Sequence, residues 1–298
     1  IICVNPCGEE GLPAWGVCNL GSVNLSALVK GKNIDEKGRF DFSALKNIVR
    51  TAVRFQDNVV DMDPYVFEGI RKTQLEGERR IGLGTMGVGD TLIKLHIRYG
   101  SPESIEFIDK VYRIIRDEAY RASSEFAREK GSFAKYDQKL YLAGKFISQL
   151  TDDVKKSIKK NGIRNSVLLM QAPTGSTSLM AGTTSGIEPV YEFEFIRKDR
   201  IGTHIIRHDL YDAWYAKHEN EVKAGKVKKP EWFVSANELT PEDHVKVQAA
   251  IQQHVDASIS KTVNAPKTHT VEDVKKLYNL AYKLGCKGIA YMRDGSRP

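Results

Sequence analysis

The segment that opens the chain carries three reactive or hydrogen-bonding side chains at alternate positions. Asn5, Cys7 and Glu9 are two residues apart, so in an extended or tightly looped segment they would point towards one small volume. A thiol can act as a nucleophile or exchange a hydrogen atom, a carboxylate can take a proton from a hydroxyl group, and an amide can bridge two hydroxyl groups. Gly8 lets the backbone approach a ligand closely. The spacing alone predicts either a catalytic loop or a buried structural cysteine.

The other cysteines leave two further interpretations open. Cys18 follows on the far side of Gly11–Pro13, a return that could bring it close to Cys7. Four cysteines in 298 residues are too few for the disulfide framework of a secreted protein, so we expect reduced thiols in the cytoplasm. Zinc bound by Cys3, Cys7 and Cys18 is disfavoured, because paired CxxC spacing is absent and no histidine lies nearby. We predict no metal bound directly by the protein.

A second candidate site is a run of small and hydroxyl-bearing residues. It follows a predicted buried strand at Val167–Met170, and its backbone N–H groups and hydroxyls could surround an anion at the start of a helix. It lacks the lysine of the ordinary nucleoside-triphosphatase loop, and a plain polar turn is the alternative. Glu188, further along, is either a ligand contact or a helix-cap partner. The predicted phosphate-binding residues are Pro173, Thr174, Gly175, Ser176, Thr177 and Ser178.

Helical patterns alternate with short apolar strands along the chain. Apolar spacing predicts a helix within Asp41–Asp63, and Ser101-Pro102 predicts the start of another that ends at Gly131. The remaining predicted features are helix N-caps at Thr240 and Thr270, a closing strand at Gly288–Met292, and Ile81–Gly89 as either a strand-to-helix passage or a helix packed through its glycines. The alternation predicts an α/β fold with buried parallel strands, in a single domain over residues 1–298.

Composition and charge exclude several classes of protein. The chain is 41% hydrophobic and 28% charged, which is enough for a sizeable core, and no apolar run approaches the length of a membrane span. The net charge of +7 is scattered among acidic residues, which favours attraction of anionic small molecules such as nucleotides over a nucleic-acid groove. The first residue is Ile1 and no signal peptide is evident, so we expect a segment of a longer protein.

Taken together, these segments resemble the catalytic subunit of ribonucleotide reductases. The resemblance runs over nearly the whole chain, and spaced matches in the family's order are far more specific than any single match. The matching segments are Asn5–Glu9, Gly16–Leu25, Arg79–Gly84, Pro173–Pro189, Ser258–Asn264 and Lys287–Arg297.

The resemblance implies a fold and a set of roles. The family fold is a ten-stranded α/β barrel made of two halves with a radical cysteine on an internal finger loop, and this chain resembles the C-terminal half. By resemblance, Cys7 carries a thiyl radical that removes the 3′ hydrogen of the ribose, and Glu9 takes the 3′-hydroxyl proton. Asn5 would hold the ribose hydroxyls, Cys18 would be one of two reducing thiols, and Thr174–Ser178 would hold the phosphates.

The resemblance also indicates a class and a cofactor. The oxygen-dependent class uses two adjacent tyrosines near the closing strand, whereas this chain has Tyr291-Met292 and no Tyr-Tyr pair. The glycyl-radical class needs a glycyl motif that the closing residues lack. The Cys7-to-Cys18 spacing and the Lys287–Arg297 ending look most like the adenosylcobalamin-dependent class. The implied cofactor is therefore adenosylcobalamin, with cobalt only inside the cofactor.

The same resemblance implies partners that lie outside these residues. They are a ribonucleotide substrate (diphosphate or triphosphate), an N-terminal barrel half that supplies the second reducing thiol, a thioredoxin-type reductant acting through a C-terminal cysteine pair, and a second copy in a homodimer. We expect the isolated segment to be inactive, and we predict neither a nucleic-acid nor a membrane partner. The alternatives are a tyrosyl-radical reductase, a basic nucleic-acid-binding protein, and a nucleotide-binding module without chemistry, which the intact Asn5, Cys7, Glu9 and Cys18 disfavour.

Overall fold

The framework of the fold is a series of parallel strand segments that neighbour one another in chain order. The computed structural model describes residues 1–199 and 202–296. Its strands are β1 (Cys3–Val4), β2 (Gly11–Leu12), β3 (Asn19–Asn24), β4 (Val29–Lys30), β5 (Arg39–Phe40), β6 (Ile81–Met86), β7 (Glu194–Asp199), β8 (Gly202–Arg207), β9 (Thr262–Ala265) and β10 (Ala290–Arg293). Its α-helices are α1 (Phe42–Met62), α2 (Glu68–Thr73), α3 (Val88–Lys94), α4 (Pro102–Lys130), α5 (Gln138–Leu142), α6 (Asp152–Asn161), α7 (Gly175–Met180), α8 (Asp209–Lys223), α9 (Pro241–Gln252) and α10 (Val271–Lys283).

The parallel pairing passes from one segment to the next. Strand β3 pairs with β6, and β9 pairs with β10, both in parallel. Between them, Leu83 of β6 forms a parallel bridge with Leu169, and Gln171 forms one with Ile259. The order across the sheet is thus 19–24, 81–86, 167–171, 257–265 and 290–293, with helices in every connection. The described residues do not close into a barrel.

The two longest helices pack together on this framework, and their ends follow from local sequence. The Asp41 side chain accepts a hydrogen bond from the Ala44 N–H at the start of α1. The Ser101 hydroxyl caps α4, Pro102 takes the first turn, and Gly131 follows the last turn with a φ of 85°. Each apolar side chain buried by these helices contributes about 1.5–3 kcal/mol. The buried apolar residues of α1 are Leu45, Val49, Val53 and Val60.

The structure confirms most of the predicted elements. Helices α1, α4, α9 and α10 occupy the predicted positions, and Thr240 and Thr270 both form capping boxes. Residues 81–89 form a strand-to-helix passage, β6 followed by α3. The predicted closing strand is displaced by two residues at its start, and the Arg297 of the matching ending lies outside the described residues. None of the described helices combines the length and the apolar character needed to cross a membrane.

Two predictions about strands were incomplete. Residues 167–171 form isolated bridges instead of a continuous strand. The N–H groups of Leu168 and Leu169 donate to the buried carboxylate of Asp256, at 2.8 and 2.7 Å, so a side chain replaces part of the ladder. The antiparallel hairpin of β7 and β8 was not predicted.

A buried charge network holds the start of β6 against α1. Asp57 accepts hydrogen bonds from Arg79 (2.8 Å), Arg164 (3.2 Å) and Asn165 (3.0 Å). Asp57 and Arg79 are almost fully buried, and Arg79 has a left-handed backbone with a φ of 47°. Charges in such an environment are tolerated only when they are fully paired. Arg79, which belongs to a matching segment, therefore has a structural position here.

We predict that Arg79→Ala lowers the free energy of unfolding by about 3–5 kcal/mol, because Asp57 would lose a buried partner. Chemical denaturation of the chain measures this loss. The matched control is Lys275→Ala, which removes an exposed pair with Glu272 and is expected to cost about 0–1 kcal/mol. Equal losses for the two variants would contradict the assigned importance of the buried network.

Candidate functional site

A short hairpin presents the Asn5, Cys7 and Glu9 segment. Strands β1 and β2 pair antiparallel, and residues 5–10 form the loop between them. The Gly8 N–H donates to the Asn5 carbonyl at 3.0 Å, and Gly8 itself has a φ of 77°, which favours glycine. The Asn5 amide oxygen accepts from the Glu10 N–H at 3.0 Å. This turn leaves the Cys7 thiol exposed at the tip of the hairpin.

The two candidate sites from the sequence line one cavity of about 580 Å³. Asn5, Cys7 and Glu9 lie on one side of it, and Pro173–Thr177 lie on the other. Between them, the lining is completed by residues of β3 and of the neighbouring parallel segments: Leu20, Gly21, Ser22, Met86 and Ala172. The chain therefore brings a thiol, a carboxylate and an amide together with a loop of hydroxyl and N–H donors.

Glu9 is the buried polar group of this cavity. It is only 1% exposed, and within residues 1–199 and 202–296 no hydrogen-bond donor pairs with its Oε2 atom. Leaving such an oxygen without a partner is costly, so the arrangement suits a ligand that brings a hydroxyl group. The Glu9 carbonyl accepts from the Ser258 N–H at 2.8 Å, which fixes the hairpin to the parallel framework.

The loop opposite the hairpin is shaped by a left-handed residue. Thr174 has a φ of 56°, and its hydroxyl accepts from the Gly186 N–H at 2.7 Å, which closes the loop on itself. The first N–H groups of α7, from Gly175 onwards, have no partner within the helix. Ser178 is fully buried, and its hydroxyl pairs with Ser185 at 2.8 Å. Ser178 thus stabilises the loop through this hydrogen bond and does not line the cavity.

Glu188 has a structural partner instead of a place in the cavity. Its carboxylate contacts the Lys261 ammonium at 2.5 Å and accepts from the Thr262 N–H at 2.8 Å, which ties the end of the loop to β9. Lys261 is fully buried and also donates to His244 Nδ1 at 2.9 Å, while His244 Nε2 donates to the Ala236 carbonyl. Sequence reasoning missed this network, and the only signal was a lysine within the matching segment that leads into β9.

Burial sets the protonation of this network. Burial, reinforced by the charge of Lys261, lowers the pKa of His244 to about 3, so the imidazole is neutral and accepts from Lys261. Burial also lowers the pKa of Lys261, while the adjacent Glu188 opposes that change. The proton on the Nε2 atom of His244 follows from its carbonyl partner.

Cys18 immediately precedes β3 and does not line this cavity. It is half-buried, and it lines a different cavity of about 400 Å³ together with residues of α1 and the loop after it, among them Val59, Tyr65 and Phe67. A buried carboxyl group, Glu10, lies beside its thiol. The described residues therefore do not place Cys7 and Cys18 in one pocket. Nor do they bring three or more His, Cys, Asp or Glu side chains together as metal ligands.

Comparison with known proteins assigns the chain to a family of barrel domains. The family model described as "Ribonucleotide reductase, barrel domain" matches residues 1–292, and the chain belongs to that family. It is 37% identical to a vitamin B12-dependent ribonucleoside-diphosphate reductase of Thermoplasma acidophilum over 98% of the chain and 38% of that protein. It is 33% identical to the B12-dependent enzyme of Mycobacterium tuberculosis over 98% of the chain and 41% of that protein.

Similarity to a second group of relatives is lower. The chain is 30% identical to a ribonucleoside-diphosphate reductase subunit alpha of Chlamydia pneumoniae, over 98% of the chain and 31% of that protein. The chain thus spans about two fifths, or less, of the length of these curated relatives. Sequence identity is higher to the B12-dependent relatives than to the subunit alpha, as the resemblance implied.

We predict that His244 makes stability fall in mild acid. Its pKa is about 3 in the folded state against 6.5 ordinarily, so below pH 6.5 the unfolded chain takes up a proton that the folded chain does not. The stabilisation is present above pH 6.5 and is lost as the pH falls towards 3. Denaturant melts should show wild type losing about 1 kcal/mol more per pH unit than His244→Gln between pH 6 and 4.

The glutamine variant is a matched control, because its amide can donate to the Ala236 carbonyl and accept from Lys261. His254, whose pKa burial also lowers, is present in both proteins and cancels in the difference. Identical pH profiles for the two proteins would contradict the buried neutral imidazole.

Proposed function

We propose that the protein containing this chain reduces ribonucleotides to 2′-deoxyribonucleotides by a thiyl-radical mechanism. The observation that carries the proposal is the single cavity that joins Asn5, Cys7 and Glu9 to the Pro173–Thr177 loop. A nucleotide has a sugar with two hydroxyl groups and an anionic phosphate chain, and the two sides of the cavity match these two ends. Similarity to ribonucleoside-diphosphate reductases supports the same substrate class.

The roles follow from the chemistry of each side chain. Cys7, exposed at the hairpin tip, removes the 3′ hydrogen as a thiyl radical. Glu9, with its unpaired Oε2 atom, takes the proton of the 3′ hydroxyl, and Asn5 holds the ribose hydroxyls. The phosphates bind at Thr174–Ser178 and Pro173, with Ser178 acting through the loop that it supports. Cys18 is one of two thiols that supply the reducing electrons, and the second thiol comes from outside this chain.

We propose adenosylcobalamin as the radical source. The residues present fit such a group, because the Cys7 sulfur is exposed at an open cavity and can be reached from outside the chain. When bound, adenosylcobalamin supplies a carbon-centred radical by homolysis of its cobalt–carbon bond. The part of this chain is to present Cys7 to that radical and to shield the substrate from water on the other sides. The names of the B12-dependent relatives support this choice over the tyrosyl-radical class.

We also propose that the chain is a single domain forming half of a ten-stranded barrel. The five parallel segments in chain order and the exposure of Leu20 (52%), an apolar residue that lines the cavity, support an N-terminal half outside this chain. That half would supply the second thiol, and a C-terminal tail would receive electrons from a thioredoxin-type reductant. The complete protein would be a homodimer in the cytoplasm, and the isolated segment would be inactive.

We predict that Gly175→Asp weakens binding of a ribonucleoside diphosphate at least about tenfold. A carboxylate there faces the phosphates, and one like charge nearby costs more than about 1.4 kcal/mol. The side chain itself fits, since no atom lies within 4 Å of a Cβ at Gly175. Calorimetric titration of the complete protein measures the change. The matched control is Gln138→Asp, which adds the same charge at an exposed polar position of α5 outside the cavity and should leave affinity within about twofold.

We predict that Cys7→Ala abolishes nucleotide reduction by the complete protein in the presence of adenosylcobalamin. Glu9→Gln should lower turnover about 10²–10⁴-fold, the usual contribution of a general base. The control is Cys3→Ala, which removes an exposed thiol on β1 outside the cavity and should retain activity. Turnover that persists in Cys7→Ala would rule out the radical assignment, and nucleotide binding without any reduction would indicate a binding module. Reduction without adenosylcobalamin would rule out that cofactor.

A further inference from the structure

A buried carboxyl group that the mechanism above does not use lies beside Cys18. Glu10 is only 2% exposed, and its Oε2 atom accepts from the Arg80 guanidinium at 3.1 Å. Arg80 is held in turn by the Gly11 carbonyl at 3.2 Å and by Glu78 at 3.4 Å. In the described part of the chain, the second oxygen of Glu10, Oε1, has no well-aligned donor. One half of this carboxyl group is therefore anchored and the other half is available.

The Cys18 thiol is the group that faces this carboxyl. The two side chains lie beside each other without a well-aligned hydrogen bond between them, and the sulfur donates instead to the Asn19 carbonyl at 3.8 Å. Gly82 of β6 makes room for the sulfur, because a Cβ at that position would lie 2.7 Å from it. A thiol and an unpaired carboxyl oxygen thus share one buried space.

The position of Glu10 is coupled to the hairpin that carries Cys7. The Glu10 N–H donates to the Asn5 amide oxygen at 3.0 Å, and the Asn5 N–H donates to the Glu10 carbonyl at 3.2 Å. Glu9 lines the cavity with Cys7, whereas the next residue, Glu10, does not. Glu9 therefore lies with Cys7, and the next residue, Glu10, lies with Cys18.

We propose that Glu10 is the proton acceptor for Cys18, a role that rests on the proposed function of Cys18 as a reducing thiol. In this step the Sγ–H bond of Cys18 breaks and an Oε1–H bond forms on Glu10. The carboxylate becomes a neutral acid and the sulfur becomes a thiolate, so charge is conserved and no electron moves. The thiolate is the form that makes a sulfur–sulfur bond.

The charges around the pair suit this exchange. Burial raises the pKa of Glu10 to about 7, the Arg80 charge and the adjacent Cys18 thiol oppose this rise, and the Asp256 charge adds to it. Burial, followed by the charge of Glu10, raises the pKa of Cys18 well above its usual range, with Arg80 opposing and Asp256 adding to the rise. At neutral pH the proton rests on sulfur, and a base that titrates near neutrality lies next to it.

The test uses the 298-residue chain. It separates two possible effects of Glu10, because they change the reaction rate of Cys18 in opposite directions. A small aromatic disulfide is reacted with the chain from pH 5.5 to 9, and mass spectrometry of the Cys18 peptide gives the rate at that residue. If Glu10 accepts the proton, the rate for wild type rises with pH and has its midpoint near pH 7. Glu10→Gln should lose that rise and react about 100-fold more slowly at pH 8. If Glu10 acts only through its charge, its removal lowers the pKa of the thiol and the reaction becomes faster.

Two further variants and the thiol of Cys3 serve as controls for the effect of Glu10 on Cys18. Glu78→Gln removes the other carboxylate on Arg80 and should retain the rise near pH 7, while the exposed Cys3 reports general changes in reactivity. Glu10→Asp keeps a carboxylate on a shorter arm and should react at an intermediate rate. A faster or unchanged rate in Glu10→Gln, or wild-type rates in both Glu10 variants, overturns the proposal. The assay needs no nucleotide reduction, so its result is independent of the Cys7 experiment.

Discussion

The hairpin that carries Cys7 is held on the parallel framework by a backbone hydrogen bond from the Ser258 N–H to the Glu9 carbonyl at 2.8 Å, and Arg80 donates to the Gly11 carbonyl beside it. A hairpin with very short strands has little stability of its own in water, and β1 and β2 are each only two residues long. The hairpin is positioned because Ser258 belongs to the segment that pairs with Gln171, and Gln171 directly precedes the cavity-lining loop. The parallel framework therefore sets the distance between the thiol and the opposite loop.

Buried charges supply the second constraint on that distance. The Glu188–Lys261 pair joins the end of the loop to β9, and His244 completes the hydrogen bonds of the ammonium group. Such a pair contributes little net stability compared with apolar packing, since both charges are desolvated. Its geometric requirement is strict, however, because a displacement of the loop that separates Glu188 from Lys261 leaves the buried ammonium charge without its carboxylate. The network favours one loop position over others.

The sequence predicted what is encoded locally. The caps at Ser101, Thr240 and Thr270 and the apolar face of α1 are short-range signals, and the structure confirms them. The spacing of Asn5, Cys7 and Glu9 left the site undecided, and the shared cavity with Pro173–Thr177 followed only from family resemblance. The Asp256 carboxylate that interrupts residues 167–171, the partner of Glu188, and the burial of Glu10 arise from contacts between residues far apart in the chain. No local pattern reports them.

Consecutive acidic residues then acquire different chemistry from geometry alone. Glu9 and Glu10 are the same residue type in the same loop, yet they serve different surroundings. Glu9 lines the open cavity with Cys7, whereas Glu10 lies beside Arg80 and the Cys18 thiol. In the proposed reaction, one carboxyl group handles the substrate proton and the other handles the thiol proton. In that proposal, the separation of the two carboxyl groups prevents a proton released at the Cys18 sulfur from neutralising Glu9, the base for the radical step.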